Sequence, residues 1–460
     1  MNLFRILFTL ERSRLRSRRG RPWLDALSIF GFAIATVTLL GVSAAIHLFN
    51  GRMINPPPGV LAWFTSPSEA TLFMENYAIA ALLALSIMLF PTLALVASAA
   101  SMITKARADS LRQLRLIGMS RRRAATIIMI EVGIQSLIGM ALGSILYFSS
   151  FPMWEMLSFQ GQRVSAAEIV LPMGVWLSVY QVIIMVMVPS AILSLTNLSL
   201  TRKLSAERGP EKFLTWRGLL FAMLLLGFIT GLVYVVEGPA SAFEALVVIT
   251  AIGIVFFIIG PLFIIALGYI ERLSKNPVLL LAGSRHITSP RDTWTAVAPV
   301  SILMIFTITL SVDSSMVARV IPPPITEAVF RRDLLTGINI TIIVALVVGA
   351  VATALSQRAS ILDRQREAEA LVVMGFPMPI IHRARLMETV IPLLLMMAVG
   401  LVLGVVLSWA NLSAITRPGY MLRGIVLVFG VAVITSVALN RILQPLQTSV
   451  IREDARPGGL

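Results

Sequence analysis

A chain of 460 residues that is 57 % hydrophobic and only 13 % charged cannot furnish the polar skin of a soluble protein, for which about 45–50 % apolar and about 25 % charged are usual. Its 38 Lys+Arg against 23 Asp+Glu leave a net charge of +15, and a mean hydropathy of +0.87 sets that basic excess beside a membrane, with no need for nucleic acid. Zero cysteines exclude disulfides, thiol catalysis and Cys-ligated metals, and the three histidines, His47, His286 and His382, lie too far apart in sequence for a local metal motif.

The first 24 residues carry Arg5, Arg12, Arg14, Arg16, Arg18, Arg19 and Arg21 around an apolar stripe of Leu3, Phe4, Ile6, Leu7 and Leu10. That pattern predicts a basic amphipathic elbow helix lying in the membrane interface. The apolar run behind it is of full spanning length and lacks a small-residue cleavage site, so it reads as a span and not a signal peptide.

Stretches long and apolar enough to cross a bilayer follow at approximately 25–48, 77–101, 124–149, 174–198, 217–236, 245–270, 295–312, 334–356, 386–409 and 420–440. The expected fold class is therefore an all-α polytopic membrane protein of about ten transmembrane helices. Of the 38 basic residues, 31 fall in alternate connecting segments that include both termini, and 7 fall in the others. The positive-inside rule then puts both termini in the cytoplasm, with basic loops against anionic lipid.

An internal repeat is the most informative feature. LRQLRLIGMSRRRAATIIMIEVG (111–133) and AEALVVMGFPMPIIHRARLMETV (368–390) align at a step of 257 residues. Leu114 then matches Leu371, Gly118 matches Gly375, Glu131 matches Glu388, and Arg107 matches Arg364. At a step of 271, Leu10, Arg14 and Trp23 match Leu281, Arg285 and Trp294, and triple prolines recur at Pro56–Pro58 and Pro322–Pro324. The layout is an elbow at 1–24, a four-span unit at 25–200, a linker with two spans at 201–272, a second elbow at 273–293, a second four-span unit at 294–445 and a tail at 446–460. An even number of spans between the units gives parallel repeats, related by an axis along the membrane normal.

A charged helix, then Leu-x-x-x-Gly, a basic or polar turn and a Glu leading into the next span resembles the FtsX/MacB/LolC-like permease family. The ten-span layout is most similar to its BceB-type branch. The resemblance implies a permease subunit without enzymatic activity, whose cytoplasmic loops at about 107–123 and 364–383 dock on a separate ATP-binding cassette ATPase. It places ATPase coupling on Arg107, Leu114, Gly118, Arg364, Leu371 and Gly375. ATP and Mg would be held by the partner, in two copies per chain. The chain's four lysines, Lys105, Lys203, Lys212 and Lys275, never form Gly-Lys-Ser/Thr, so no Walker A loop is present in it. The implied activity is ATP-driven export or extraction of an amphipathic substrate such as an antimicrobial peptide, a lipid or a drug. One departure from the family is clear: the outer segments 49–76, 150–173 and 313–333 are too short to fold a separate domain.

Two further features sit inside spans. Glu131 and Glu388 fall about 19 Å along a helix beyond their glycines at 1.5 Å per residue, and serve either function or ion pairing with elbow arginines. Gly139/Gly143 and Gly400/Gly404 are small-xxx-small pairs suited to close helix packing. Pro91, Pro189, Pro261 and Pro392 lie within spans and suggest kinks. Competing functions are an ion-coupled secondary transporter, which would use Glu131 and Glu388, and an FtsX-like mechanical signalling protein, which the short outer loops disfavour.

Overall fold

The computed structural model describes residues 22–64, 66–107, 119–200, 259–290, 324–363 and 365–407, with shorter pieces between 293 and 304 and between 422 and 441. The long helices are α1 (Pro22–Ile54), α3 (Pro67–Ala106), α4 (Arg121–Ser149), α6 (Met173–Leu200), α9 (Pro324–Asp363) and α11 (Met378–Leu407). Shorter ones are α2 (Pro58–Leu61), α5 (Phe151–Glu155), α7 (259–272), α8 (Pro277–Thr288) and α10 (Gln365–Val373). Among the described residues six helices are long and apolar enough to cross a membrane. The stretches expected at 217–236 and 295–312 lie wholly or mostly outside the described residues, as do the first elbow and much of the linker, and 420–440 is described in short helical pieces.

Local chemistry fixes where the helices start. Ser66 accepts a hydrogen bond from the Glu69 N–H at 3.4 Å, and Pro67 follows at the first helical position, where a missing N–H is harmless. Asn276 and Pro277 do the same for α8, with Asn276 Oδ1 accepting from the Val278 N–H at 3.0 Å. Proline inside α3 and α6 is accompanied by one device: the hydroxyl of the next residue bonds back to a carbonyl four residues earlier. Thr92 reaches Met88 O at 2.6 Å, and Ser190 reaches Val186 O at 2.7 Å.

The helices run past the apolar windows that announce them. α1 continues to Ile54, α3 begins at Pro67, and α9 begins at Pro324, so the expected outer segments 49–76 and 313–333 are partly helical. Hydropathy reports the thickness of the apolar slab, whereas helical hydrogen bonding stops where a cap ends it.

α3 is the central element. It packs most extensively on α1 and α9, and also on α6, while α4 lies mainly against α1. Its most apolar window is 78 % buried, against 39 % for α4 and 33 % for α6, whose outward faces carry Leu137, Leu142, Ile145, Leu177 and Leu193 toward lipid. α3 and α9 run side by side in the same direction. Phe73 meets Phe330 at one end, Ile87 and Met88 share a buried cluster with Ile342 and Leu346 in the middle, and Leu95, Ala99 and Leu355 converge around Gly31 beyond. Both helices are 40 residues long, and the step from 67 to 324 and from 106 to 363 is the same 257 residues. The first residues of α4 and α11, 121 and 378, are separated by that step too.

Candidate functional site

The residues singled out in sequence gather mainly at the end of the helices where α10 lies. α10 is a short amphipathic helix ended by a turn with two diagnostic bonds. The Gly375 N–H reaches Val372 O at 3.0 Å and the Phe376 N–H reaches Leu371 O at 3.0 Å, with Gly375 at φ +87°. This is a Schellman cap, and its left-handed position is where glycine is favoured. The turn presents large apolar side chains outward: Val373 is 86 % exposed and Met374 68 %, with Phe376 beside them. Leu371 is half-buried on α10. Leu114, Gly118 and Arg364 lie outside the described residues.

Charged side chains tie the neighbouring helix ends together. In the first half Arg107, at the cap of α3, pairs with Glu131 of α4 and donates to both oxygens of Asp25 in α1, at 3.1 and 3.2 Å. Gln135, one turn beyond Glu131, donates to Asp25 Oδ1 at 3.1 Å. In the second half Arg285 of α8, buried, donates to Glu367 of α10 at 3.1 Å and to Glu388 of α11 at 3.2 Å. His286 sits between Glu271 of α7 and the backbone carbonyl of Glu388. Burying these charges is tolerable because each meets an opposite charge with hydrogen-bond geometry. Among the described residues Arg285 of α8 grips Glu388, and Arg107 at the end of α3 pairs with Glu131.

Close helix contact in the first half runs through glycine. A Cβ on Gly139 would stand 2.5 Å from Phe32 Cβ, and one on Gly143 would stand 2.5 Å from Ala33 O, both on α1. Gly400 and Gly404 are buried on α11. Among the described residues no group of three or more His, Asp or Glu is arranged to hold a metal.

The opposite end holds a cluster that sequence reasoning missed. Strands β1 (Ser158–Phe159) and β2 (Gln162–Arg163) form a minimal hairpin, turning at Gln160 and Gly161 with φ of 58° and 73°. Arg52, at the end of α1 and 3 % exposed, engages all five of its N–H groups there. Nε and Nη2 fork onto Glu168 at 2.7 and 2.9 Å, Nη2 also reaches Arg163 O, and Nη1 reaches Phe159 O and Gln160 Oε1. Glu168 lies in a 3-10 turn (Ala166–Ile169) whose capping box with Ser165 holds it in place. The Arg52 hydrogen bonds are the main cause holding its carboxyl below the ordinary value near 4.5. From α9, Asp333 accepts the Gln160 N–H at 2.5 Å and the Tyr77 hydroxyl at 2.9 Å. The hairpin is thus held by α1 on one side and α9 on the other. The sequence signal was present in Ser165-Ala-Ala-Glu168, a capping box in a short loop.

Residues 339–443 match the FtsX-like permease C-terminal family. No curated protein and no solved structure matches the chain. The matched segment takes in most of α9, the whole of α10 with its exposed turn, and α11 with Glu388. On that match residues 339–443 are similar to the C-terminal part of FtsX-like permeases, and the six long apolar helices support a membrane location.

Proposed function

We propose that this chain is the transmembrane subunit of an ATP-binding cassette transporter, in which a separate cytoplasmic ATPase drives export or extraction of an amphipathic or hydrophobic substrate. The observation that carries this reading is the turn after α10, where Val373, Met374 and Phe376 stand exposed on a rigid cap inside the FtsX-like segment. Apolar side chains at the end of a polar helix suit insertion into a cleft of another protein. The basic residues cluster in the segments at this end, which supports placing it in the cytoplasm, where ATP is available.

Coupling then follows from rigid connections. Force applied at the turn passes along α10 to Glu367, through Arg285 to the elbow α8, and through Glu388 to α11. α9 carries it to α3, since the two are packed along their length. The shared step of 257 residues in the bounds of α3 and α9, and in the starts of α4 and α11, supports two like-oriented four-span units. Ten spans, a two-helix linker and one ATPase docked per unit, each binding ATP and Mg, complete the proposed assembly.

The test is to purify the tagged chain from its native membrane and assay ATPase activity. A cassette ATPase should co-purify with wild type. It should be lost or uncoupled with Met374→Asp/Phe376→Asp, two exposed changes that leave the span packing intact. Isolation of well-folded wild type with no ATPase, or an unchanged ATPase with the double variant, overturns the reading.

A further inference from the structure

His286 is fully buried, and both of its ring nitrogens face acceptors. Nδ1 stands 2.6 Å from Glu271 Oε2, and Nε2 stands 3.0 Å from the Glu388 backbone carbonyl. A carbonyl oxygen has no proton to offer, so Nε2 carries one. The second contact then needs a proton of its own. It resides either on Nδ1, against a carboxylate, or on Oε2, as a carboxylic acid donating to a neutral ring. Both descriptions hold the same number of protons. Removing that proton leaves a ring lone pair against a buried carboxylate, which is repulsive. Glu271 Oε1 is buried without a hydrogen-bond partner among the described residues, so His286 is the group that Oε2 must share its proton with.

The surroundings hold the two groups together. Gly268 of α7 and Gly283 of α8 bring the helix backbones into contact: a Cβ on either would stand 2.8 Å from the other's carbonyl oxygen. The charged groups facing the pair are Arg285 on α8, engaged by Glu367 of α10 and Glu388 of α11. Arg272, next to Glu271 on α7, is exposed, and Arg385 of α11 donates to Gln357 O on α9.

We propose that Glu271 and His286 form a proton-binding site that joins the linker helix α7 to the elbow α8 and, through the Glu388 carbonyl, to α11. Binding of the proton closes the joint, and its release to solvent opens it. The linker is thereby coupled to the second half in a pH-dependent way. The first half has no equivalent, because the 271-residue step places Leu15 opposite His286. This inference stands on the hydrogen-bond geometry and survives if no ATPase partner is found.

The cysteine-free chain suits a spin-label test. Labels at Leu273→Cys and Arg383→Cys, both exposed, report the separation of α7 and α11 in nanodiscs. Wild type should give one narrow distance with the proton bound, which broadens as pH is raised until the proton is lost. Glu271→Gln, which keeps a donor facing Nδ1, should stay narrow throughout. An identical pH response in both overturns the proposal. As a check that needs no change in the pair, ¹⁵N-histidine spectra of His47→Gln/His382→Gln leave His286 as the sole signal. A protonated Nε2 with Nδ1 either protonated or accepting a hydrogen bond is expected, and a bare Nε2 overturns the assignment.

Discussion

Phe73 and Phe330, 257 residues apart, lie ring to ring with centroids 6.2 Å apart at an interplanar angle of 64°. On the two like-oriented units proposed above, this contact would lie on the axis relating them, as at the centre of a symmetric dimer interface. Tyr77 joins them, 5.0 Å from Phe330. Phe73→Cys/Phe330→Cys is therefore expected to cross-link within one chain with a short bifunctional thiol reagent, against a cysteine-free background. Mass spectrometry of the digest reads the linked peptides, and their absence from the folded variant would refute the contact.

Arg52 holds the β1–β2 hairpin to α1 with every donor it has. Arg52→Met leaves Glu168 and Gln160 without that partner, and because Glu168 is 32 % exposed the cost falls below the about 3–5 kcal/mol of a pair buried on both sides. A fall in the thermal midpoint in detergent is the expected result. Replacing the exposed Arg163 side chain should leave it nearly unchanged, because Arg163 contributes its carbonyl to the cluster.

The same contact sets an acid limit. The folded state holds the Glu168 carboxyl below its ordinary value near 4.5, so the stabilisation is present above that value and disappears as pH falls through the lower folded one. Midpoints measured from neutral pH downward should decline in that window for wild type, and the decline should be smaller for Glu168→Gln.

Glycines on α4 separate packing from propensity. Gly143→Ala places a methyl 2.5 Å from Ala33 O, and overpacking of this kind costs about 1–3 kcal/mol. Gly133→Ala meets nothing within 4 Å and gains up to about 1 kcal/mol in helix propensity. Opposite shifts in thermal midpoint are the expected outcome.

At Gly375 the space is open and only the backbone objects. Gly375→Ala at φ +87° costs roughly 1–2 kcal/mol locally, and Gly375→Asn less, since Asn tolerates the left-handed region. On the function proposed above, ATPase stimulation should rank glycine over asparagine over alanine at near-constant ATPase binding.

Six of the ten expected spans are long apolar helices among the described residues, legible because a continuous apolar run leaves a helix few alternatives in lipid. Gly375 was legible as a helix stop, since few other residues adopt its φ. What escaped were contacts between segments distant in sequence. Arg52 counted only as one more basic residue outside the spans, yet it is buried. Asp333 and Glu168 gave no sign that one hairpin would bring them together. Glu131 and Glu388 were legible as carboxylates within spans, but nothing in sequence showed that Arg107 and Asp25 would meet at the first or Arg285 at the second. Pairing depends on which helix ends converge, and hydropathy carries no information about that.

At 1.5 Å per residue the 40-residue α3 is about 60 Å long, twice the roughly 30 Å of hydrocarbon it crosses. A rod of that length acts as a lever. A tilt of about 10° around its middle moves residue 77, roughly 14 Å away, by about 2.5 Å, yet shifts Met88 by well under 1 Å. The grip of Asp333 on the Tyr77 hydroxyl is 2.9 Å long. A modest swing at the α10 end is therefore enough to break it at the far side while the middle of the bundle stays packed.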